Sequence, residues 1–138
     1  MGYTSDVAYI IHFDNVEQRD QFVTLMQAKN ETYTNQALAE VEYRYSKHPI
    51  ITFSADYQKW YDSYPDVQAH HRLMHDAVEL YKAEYRFVRI GEDDNDIETQ
   101  QDCDNYDLWD YVRPVRSIET DFPAPDLIEE PHPTTETN

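Results

Sequence analysis

Residues 7–13, Val-Ala-Tyr-Ile-Ile-His-Phe, decide how this chain folds. Val7, Tyr9, Ile11 and Phe13 recur at every second position, which is the side-chain period of a β-strand. The positions between them are also largely apolar, so both faces of the strand should be buried. The pattern therefore predicts a strand in the interior of a sheet.

The residues after this strand predict a helix. Asn15 is a good N-cap residue, and Gln18 stands three positions later, as in a capping box. Apolar residues then recur near helical spacing up to Met26, so we predict a helix over residues 16–28.

Four further elements follow in the first 91 residues. Residues 41–45 alternate apolar and polar side chains, and residues 50–54 form a second strand pattern after a turn at 46–49, which predicts a hairpin. Pro65 suits the first turn of a long helix that continues to about Ala83. Residues 85–91 alternate again and predict a last strand.

This order, β-α-β-β-α-β, is the split βαβ pattern of ferredoxin-like α+β sandwiches. We therefore predict a ferredoxin-like body over residues 1–91 with an acidic C-terminal extension. Residues 92–120 are predicted as an acidic loop in which residues 111–119 could add a fifth strand, and Pro114 would confine that strand to an edge of the sheet. Residues 121–138 carry four prolines and are predicted as a disordered acidic tail.

The charge is concentrated in that extension. The 138 residues include 28 acids and 11 lysines and arginines, for a formal net charge of −17. Residues 1–91 hold 13 acids and 9 bases, whereas residues 92–138 hold 15 acids and 2 bases. This balance argues against direct binding to nucleic acids or anionic membranes, because phosphate contacts need a basic surface.

The composition offers no catalytic signature. The two glycines cannot form a glycine-rich phosphate loop. Cys103 is the single cysteine, so no internal disulfide forms, and neighbouring acids should make its thiol a poor nucleophile. We therefore expect a cytoplasmic protein without enzymatic activity, catalytic residues or cofactor.

Two groups of residues have a spacing that resembles that of metal ligands. His71, His75 and Glu79 are spaced four apart on the second predicted helix and could share a zinc ion, or they could be a solvent-facing row. Residues 92–104 resemble a calcium loop but lack its required glycine and final glutamate. We predict no metal site.

Acids and aromatic residues alternate at 106–111, as in protein interfaces with aromatic anchors inside a charged rim. The alternative is that the acids belong to a solvated loop and the aromatics to the core. We expect a basic protein surface, that of a nucleic-acid-binding protein, as the partner. The predicted partner-binding residues are Glu92, Asp93, Asp94, Asp96, Glu98, Asp102, Asp104, Asp107, Trp109, Asp110 and Tyr111.

The run YRFVRIGEDDNDIE at residues 85–98 resembles small acidic accessory and anti-defence proteins of tailed bacteriophages. That resemblance implies an inhibitor that presents a DNA-like anionic surface to a host defence enzyme in the host cytoplasm. Two alternatives stay open: an immunity or antitoxin protein for a basic nuclease, and a structural or assembly module that oligomerises through its sheet edge. The oligomeric state is not predicted.

Overall fold

The first strand, β1 (Ser5–His12), lies inside a four-stranded antiparallel sheet of strand order β2-β1-β3-β4. Its neighbours are β2 (Ile50–Gln58) and β3 (Glu84–Gly91), and β4 (Ile97–Asp102) is the outer strand beside β3. The structure, a computed structural model, describes residues 2–43, 47–103, 108, 111–115 and 117–123. The predicted interior position of the first strand is confirmed.

Three helices connect the strands. The first helix, α1 (Val16–Ala28), has the predicted bounds, and the Asn15 side chain caps it by accepting the Gln18 N–H at 2.9 Å. The second, α2 (Thr32–Glu40), was not predicted. The third, α3 (Pro65–Tyr81), begins at the predicted proline.

The two faces of β1 belong to different cores. Tyr9 and the residues in phase with it pack under the helices, together with Phe87 of β3. Ala8 and Ile10 pack on the other face against Leu108 and Val112. A second sheet therefore covers the face opposite the helices: β5 (Val112–Val115) and β6 (Ser117–Thr120), an antiparallel pair.

The structure confirms an α+β fold with an antiparallel four-stranded sheet, but the ferredoxin-like order is not confirmed. The strand predicted at residues 41–45 is reduced, within the described residues, to one bridge between Glu42 and Thr52. The chain forms α2 just before this point, and residues 44–46 lie outside the described residues. The fourth strand of the sheet comes instead from residues 97–102, which we predicted as part of a loop.

The described part of the C-terminal extension contains more regular secondary structure than predicted. The strands β5 and β6 pair with each other, with Pro114 opposite Ile118, rather than adding a fifth strand to the main sheet. Phe122, predicted as part of the tail, packs against the second core. Residues 124–138 lie outside the described residues. Within the described parts of the chain, no helix is long and apolar enough to span a membrane.

Candidate protein interface

One end of the main sheet collects most of the predicted acids. The strand register places Ser5 of β1 opposite Gln58 of β2 and Gly91 of β3, so β1 begins where β2 and β3 end. We define the acidic end as residues 3–6, 56–62 and 91–98. It contains one lysine and eight carboxylates: Asp6, Asp56, Asp62, Glu92, Asp93, Asp94, Asp96 and Glu98.

The turn between β3 and β4 is closed by backbone hydrogen bonds. The Gly91 N–H donates to the Asp96 carbonyl at 2.8 Å, and the Asp96 N–H donates to the Asp93 carbonyl at 3.0 Å. The Ile97 N–H donates to the Asn95 carbonyl at 3.1 Å. The acids at positions 92–94 are therefore carried on a tight, internally bonded turn.

The N-terminal segment binds this turn through Tyr3 and Thr4. The Tyr3 hydroxyl donates to Asp96 Oδ2 at 2.6 Å and accepts the Asp93 N–H at 3.0 Å. The Thr4 N–H donates to Glu92 Oε2 at 2.6 Å, and the Thr4 hydroxyl donates to the same oxygen at 3.0 Å. Because these donors are neutral groups, they orient the Glu92 carboxylate without cancelling its charge.

Arg89 organises the other two acids of the turn region. Its guanidinium contacts Asp96 Oδ1 at 2.7 Å and Glu98 Oε1 at 2.9 Å, and Nη1 donates to Ser5 Oγ at 3.0 Å. The hydrogen bond from Arg89, reinforced by the one from Tyr3, lowers the pKa of Asp96. Asp96 in turn raises the pKa values of Tyr3 and Arg89. One guanidinium therefore balances part of the charge of two carboxylates.

The structure divides the predicted partner-binding residues into groups. Glu92, Asp93 and Asp94 are exposed on the turn. Asp102 pairs with Tyr85 at the opposite end of β4, and Tyr111 packs against the second core. Asp96 and Glu98 are half-buried at the acidic end. Four predicted residues lie outside the described part of the chain: Asp104, Asp107, Trp109 and Asp110.

The acidic end also has an aromatic part, which the sequence did not predict. Tyr61 is joined to Tyr3, since the Tyr3 N–H donates to the Tyr61 hydroxyl at 2.7 Å and that hydroxyl donates to the Tyr3 carbonyl at 2.9 Å. Tyr57, on the last part of β2, is 80% exposed. The available signal was the aromatic run at residues 57–64, which contains three tyrosines and one tryptophan.

Two histidines of α3, His71 and His75, line a cleft that adjoins the acidic end. A cavity of about 500 Å³ between α3 and β4 includes His71, His75 and Glu98 in its lining. Burial lowers the pKa of His71, so its imidazole is neutral at pH 7. Among the described residues no group of three or more histidine, cysteine, aspartate or glutamate side chains is arranged to hold a metal ion.

Three polar side chains form a hydrogen-bonded chain that starts inside the helix-side core. The Tyr9 hydroxyl lies 2.6 Å from His70 Nδ1, and His70 Nε2 lies 2.8 Å from Glu40 Oε1. Tyr9 is fully buried, and the His70 ring packs against Phe53 and Trp60. This Tyr-His-Glu chain satisfies polar groups within the core and gives a substrate no access to Tyr9.

Comparisons of the chain with protein-family models, with curated proteins and with solved structures found no match.

Proposed function

We propose that this protein inhibits a nucleic-acid-binding protein by covering its basic surface with the acidic end. The observation that carries the proposal is the turn at residues 92–94, which presents three consecutive exposed carboxylates from a hydrogen-bonded backbone. Such a surface can occupy a groove that otherwise binds the phosphates of DNA or RNA.

The fixed geometry of the turn supports this function. Tyr3 and Thr4 bond the turn from one side, and Arg89 holds Asp96 from the other. Because the backbone of the turn and the Glu92 carboxylate are already held by hydrogen bonds, less conformational freedom is lost on binding than for acids on a flexible tail. Their attraction to a basic partner should also speed association, and salt should slow it.

The resemblance to phage anti-defence proteins favours a host defence or nucleic-acid-processing enzyme as the target. We expect the protein to act in the host cytoplasm without enzymatic activity of its own. The same surface would serve an immunity or antitoxin protein that plugs a basic nuclease. The activity of the captured partner decides between these two roles, since a host defence enzyme supports the first and a nuclease toxin the second.

A matched pair of variants tests the proposal. The turn variant carries Glu92→Gln, Asp93→Asn and Asp94→Asn. The control variant removes the same charge from exposed glutamates outside the acidic end: Glu17→Gln, Glu42→Gln and Glu79→Gln.

Each tagged protein is used to capture partners from a bacterial lysate at about 0.1 M salt, where charges interact over about 10 Å. We expect the wild type and the control variant to retain the same basic protein, and the turn variant to lose most of it. Equal retention by the turn variant and the control variant would refute the role of the acidic end.

An assembly module is a second candidate, and the position of β4 favours it. This strand is the outermost of the main sheet beside β3, and its Ile97 and Thr99 are exposed. Light scattering at low and high salt tests it: a dimer that persists at about 0.5 M salt supports assembly through the sheet edge, whereas a monomer at both salt concentrations excludes it.

A further inference from the structure

The backbone conformation of Tyr57 is unusual for a residue with a large side chain. Its φ angle is +58°, in the left-handed region that only glycine and, less often, asparagine and aspartate adopt without strain. Its side chain is nevertheless 80% exposed, so no burial of the ring offsets this strain. Strained residues of this kind concentrate at functional sites.

A β-bulge produces this conformation. The pairing of β1 with β2 shifts between Ser5 and Val7, so β2 has one residue more than β1 at this point. The Asp6 carboxylate stabilises the bulge by accepting the Tyr57 N–H at 3.1 Å. Bulges of this type re-aim side chains at the edges of sheets, and β2 is an outer strand of this one.

Tyr33 provides a comparison within the same chain. It lies on the regular helix α2 and is 38% exposed. Within the described parts of the chain, the residues other than glycine with a positive φ angle are Asn30, Tyr57 and Lys82, and Tyr33 is not among them. Exposure of a tyrosine in this protein therefore does not require a strained backbone such as that of Tyr57.

We propose that Tyr57 is the aromatic anchor of the partner interface and that its ring receives a lysine or arginine side chain of the partner. This inference rests on the proposed function. A tyrosine face attracts a cation, and the neighbouring carboxylates of Asp6 and Asp56 add charge complementarity. Tyrosine is also among the residues that most often dominate the binding energy of protein interfaces.

The test compares three variants with the wild type, using the purified basic protein that the wild type captures. Tyr57→Asn removes the ring while asparagine tolerates the left-handed backbone, Tyr57→Phe keeps an aromatic face, and Tyr33→Asn removes the comparison tyrosine. We expect Tyr57→Asn to weaken binding at least tenfold, Tyr57→Phe by less than threefold, and Tyr33→Asn not at all. Wild-type affinity in Tyr57→Asn would overturn the inference while leaving the proposed function intact.

A titration without the partner tests the cation site separately. N-acetyl-arginine amide is added to the wild-type protein, and the ring signals of Tyr57 and Tyr33 are followed by NMR, with the uncharged citrulline analogue as the control ligand. We expect the arginine compound to shift the Tyr57 signals selectively. Equal shifts at both tyrosines, or equal shifts with both compounds, would refute the cation site. A selective shift at Tyr57 in a protein that captures no basic partner would support the cation site and refute the proposed function.

Discussion

Gly91 lies where β3 ends, and its lack of a side chain allows Asp96 and Tyr3 to approach the backbone. A Cβ atom at this position would clash with the Asp96 carboxylate and the Tyr3 hydroxyl. Both groups also hold the acidic turn in place through the hydrogen bond between them. One glycine therefore permits the arrangement that displays the carboxylates at positions 92–94.

We expect Gly91→Ala to lower the free energy of unfolding by about 1–3 kcal/mol, because inserting an atom into a packed site forces its neighbours to move. Gly2→Ala is the control, since the added Cβ would meet only the ends of the Tyr61 and Lys59 side chains, the nearest at 3.1 Å. Urea unfolding of both variants measures the difference. A Gly91→Ala protein as stable as Gly2→Ala would contradict the close packing of the turn.

Only some of the residues that form this turn could be predicted from the sequence. The acids at 92–98 and the single glycine before them were visible, but their partners were not. Arg89 is close in sequence, whereas Tyr3 and Thr4 are about 90 residues away, and only the strand register brings them to the turn. Hydrogen bonds between such distant residues leave no local pattern in the sequence.

At the level of elements, β3 connects the two layers of the protein. Arg86, 5% exposed, donates to the Val112 carbonyl of β5 at 2.7 Å and to Gln101 Oε1 of β4 at 2.7 Å. Arg89, on the other face of the strand, pairs with Asp96 and Glu98. These two arginines anchor β4 on both sides, which explains how a strand with few apolar residues stays in the sheet.

We expect Arg89→Gln to lower the free energy of unfolding by roughly 1.5–3 kcal/mol, the range for hydrogen bonds to charged groups, and to speed hydrogen exchange in β4. The control is Arg72→Gln, which breaks a more exposed pair with Glu31 at 3.2 Å and should cost under about 1 kcal/mol. Hydrogen-exchange mass spectrometry compares the two. Unchanged protection of β4 in Arg89→Gln would show that the ion pairs do not hold this strand.

The elements that followed strong local patterns were predicted well. Apolar spacing and a good N-cap predicted α1 with its observed bounds. By contrast, α2 begins at an unusual cap, where Glu31 accepts the Thr34 N–H at 2.8 Å. The strand β4 contains Ile97 and Thr99 among acids and glutamines, and its pairing with β3 outweighs that weak propensity. Tertiary contacts therefore stabilise the elements that local sequence patterns do not predict.

At the level of the whole molecule, buried histidines make stability depend on pH. Burial lowers the pKa values of His12, His70 and His71. In the unfolded chain these groups titrate near their ordinary value of about 6.5, so the unfolded state binds more protons than the folded state at and below that pH. The histidine contribution to stability is therefore complete above about 6.5 and is lost as the pH falls from there toward the lower pKa values of the folded state.

We expect the melting temperature to fall as the pH is lowered from about 7.5 to 5.5, measured at 0.2 M salt to screen the net charge. His71→Gln should reduce the slope, because one of the titrating groups is removed. A melting temperature that stays level or rises over this range would contradict the burial of neutral histidines.

The net charge of −17 describes the whole molecule, but the interface depends on where the fold places the acids. Asp102 and the turn acids belong to one acidic stretch of sequence, yet β4 separates them to opposite ends of the sheet. Asp6 and Asp56, distant in sequence, lie in neighbouring strands near the turn. The sequence could therefore indicate an anionic protein surface but not its shape.

Competition with DNA tests the central claim most directly. The captured partner is bound to a labelled DNA duplex at about 0.1 M salt, and the wild type, the turn variant and the control variant are added in turn. We predict that the wild type and the control variant release the duplex at similar concentrations, and that the turn variant needs at least ten times more. A complex that contains the protein, its partner and the duplex together would contradict the claim that the acidic end occupies the nucleic-acid site.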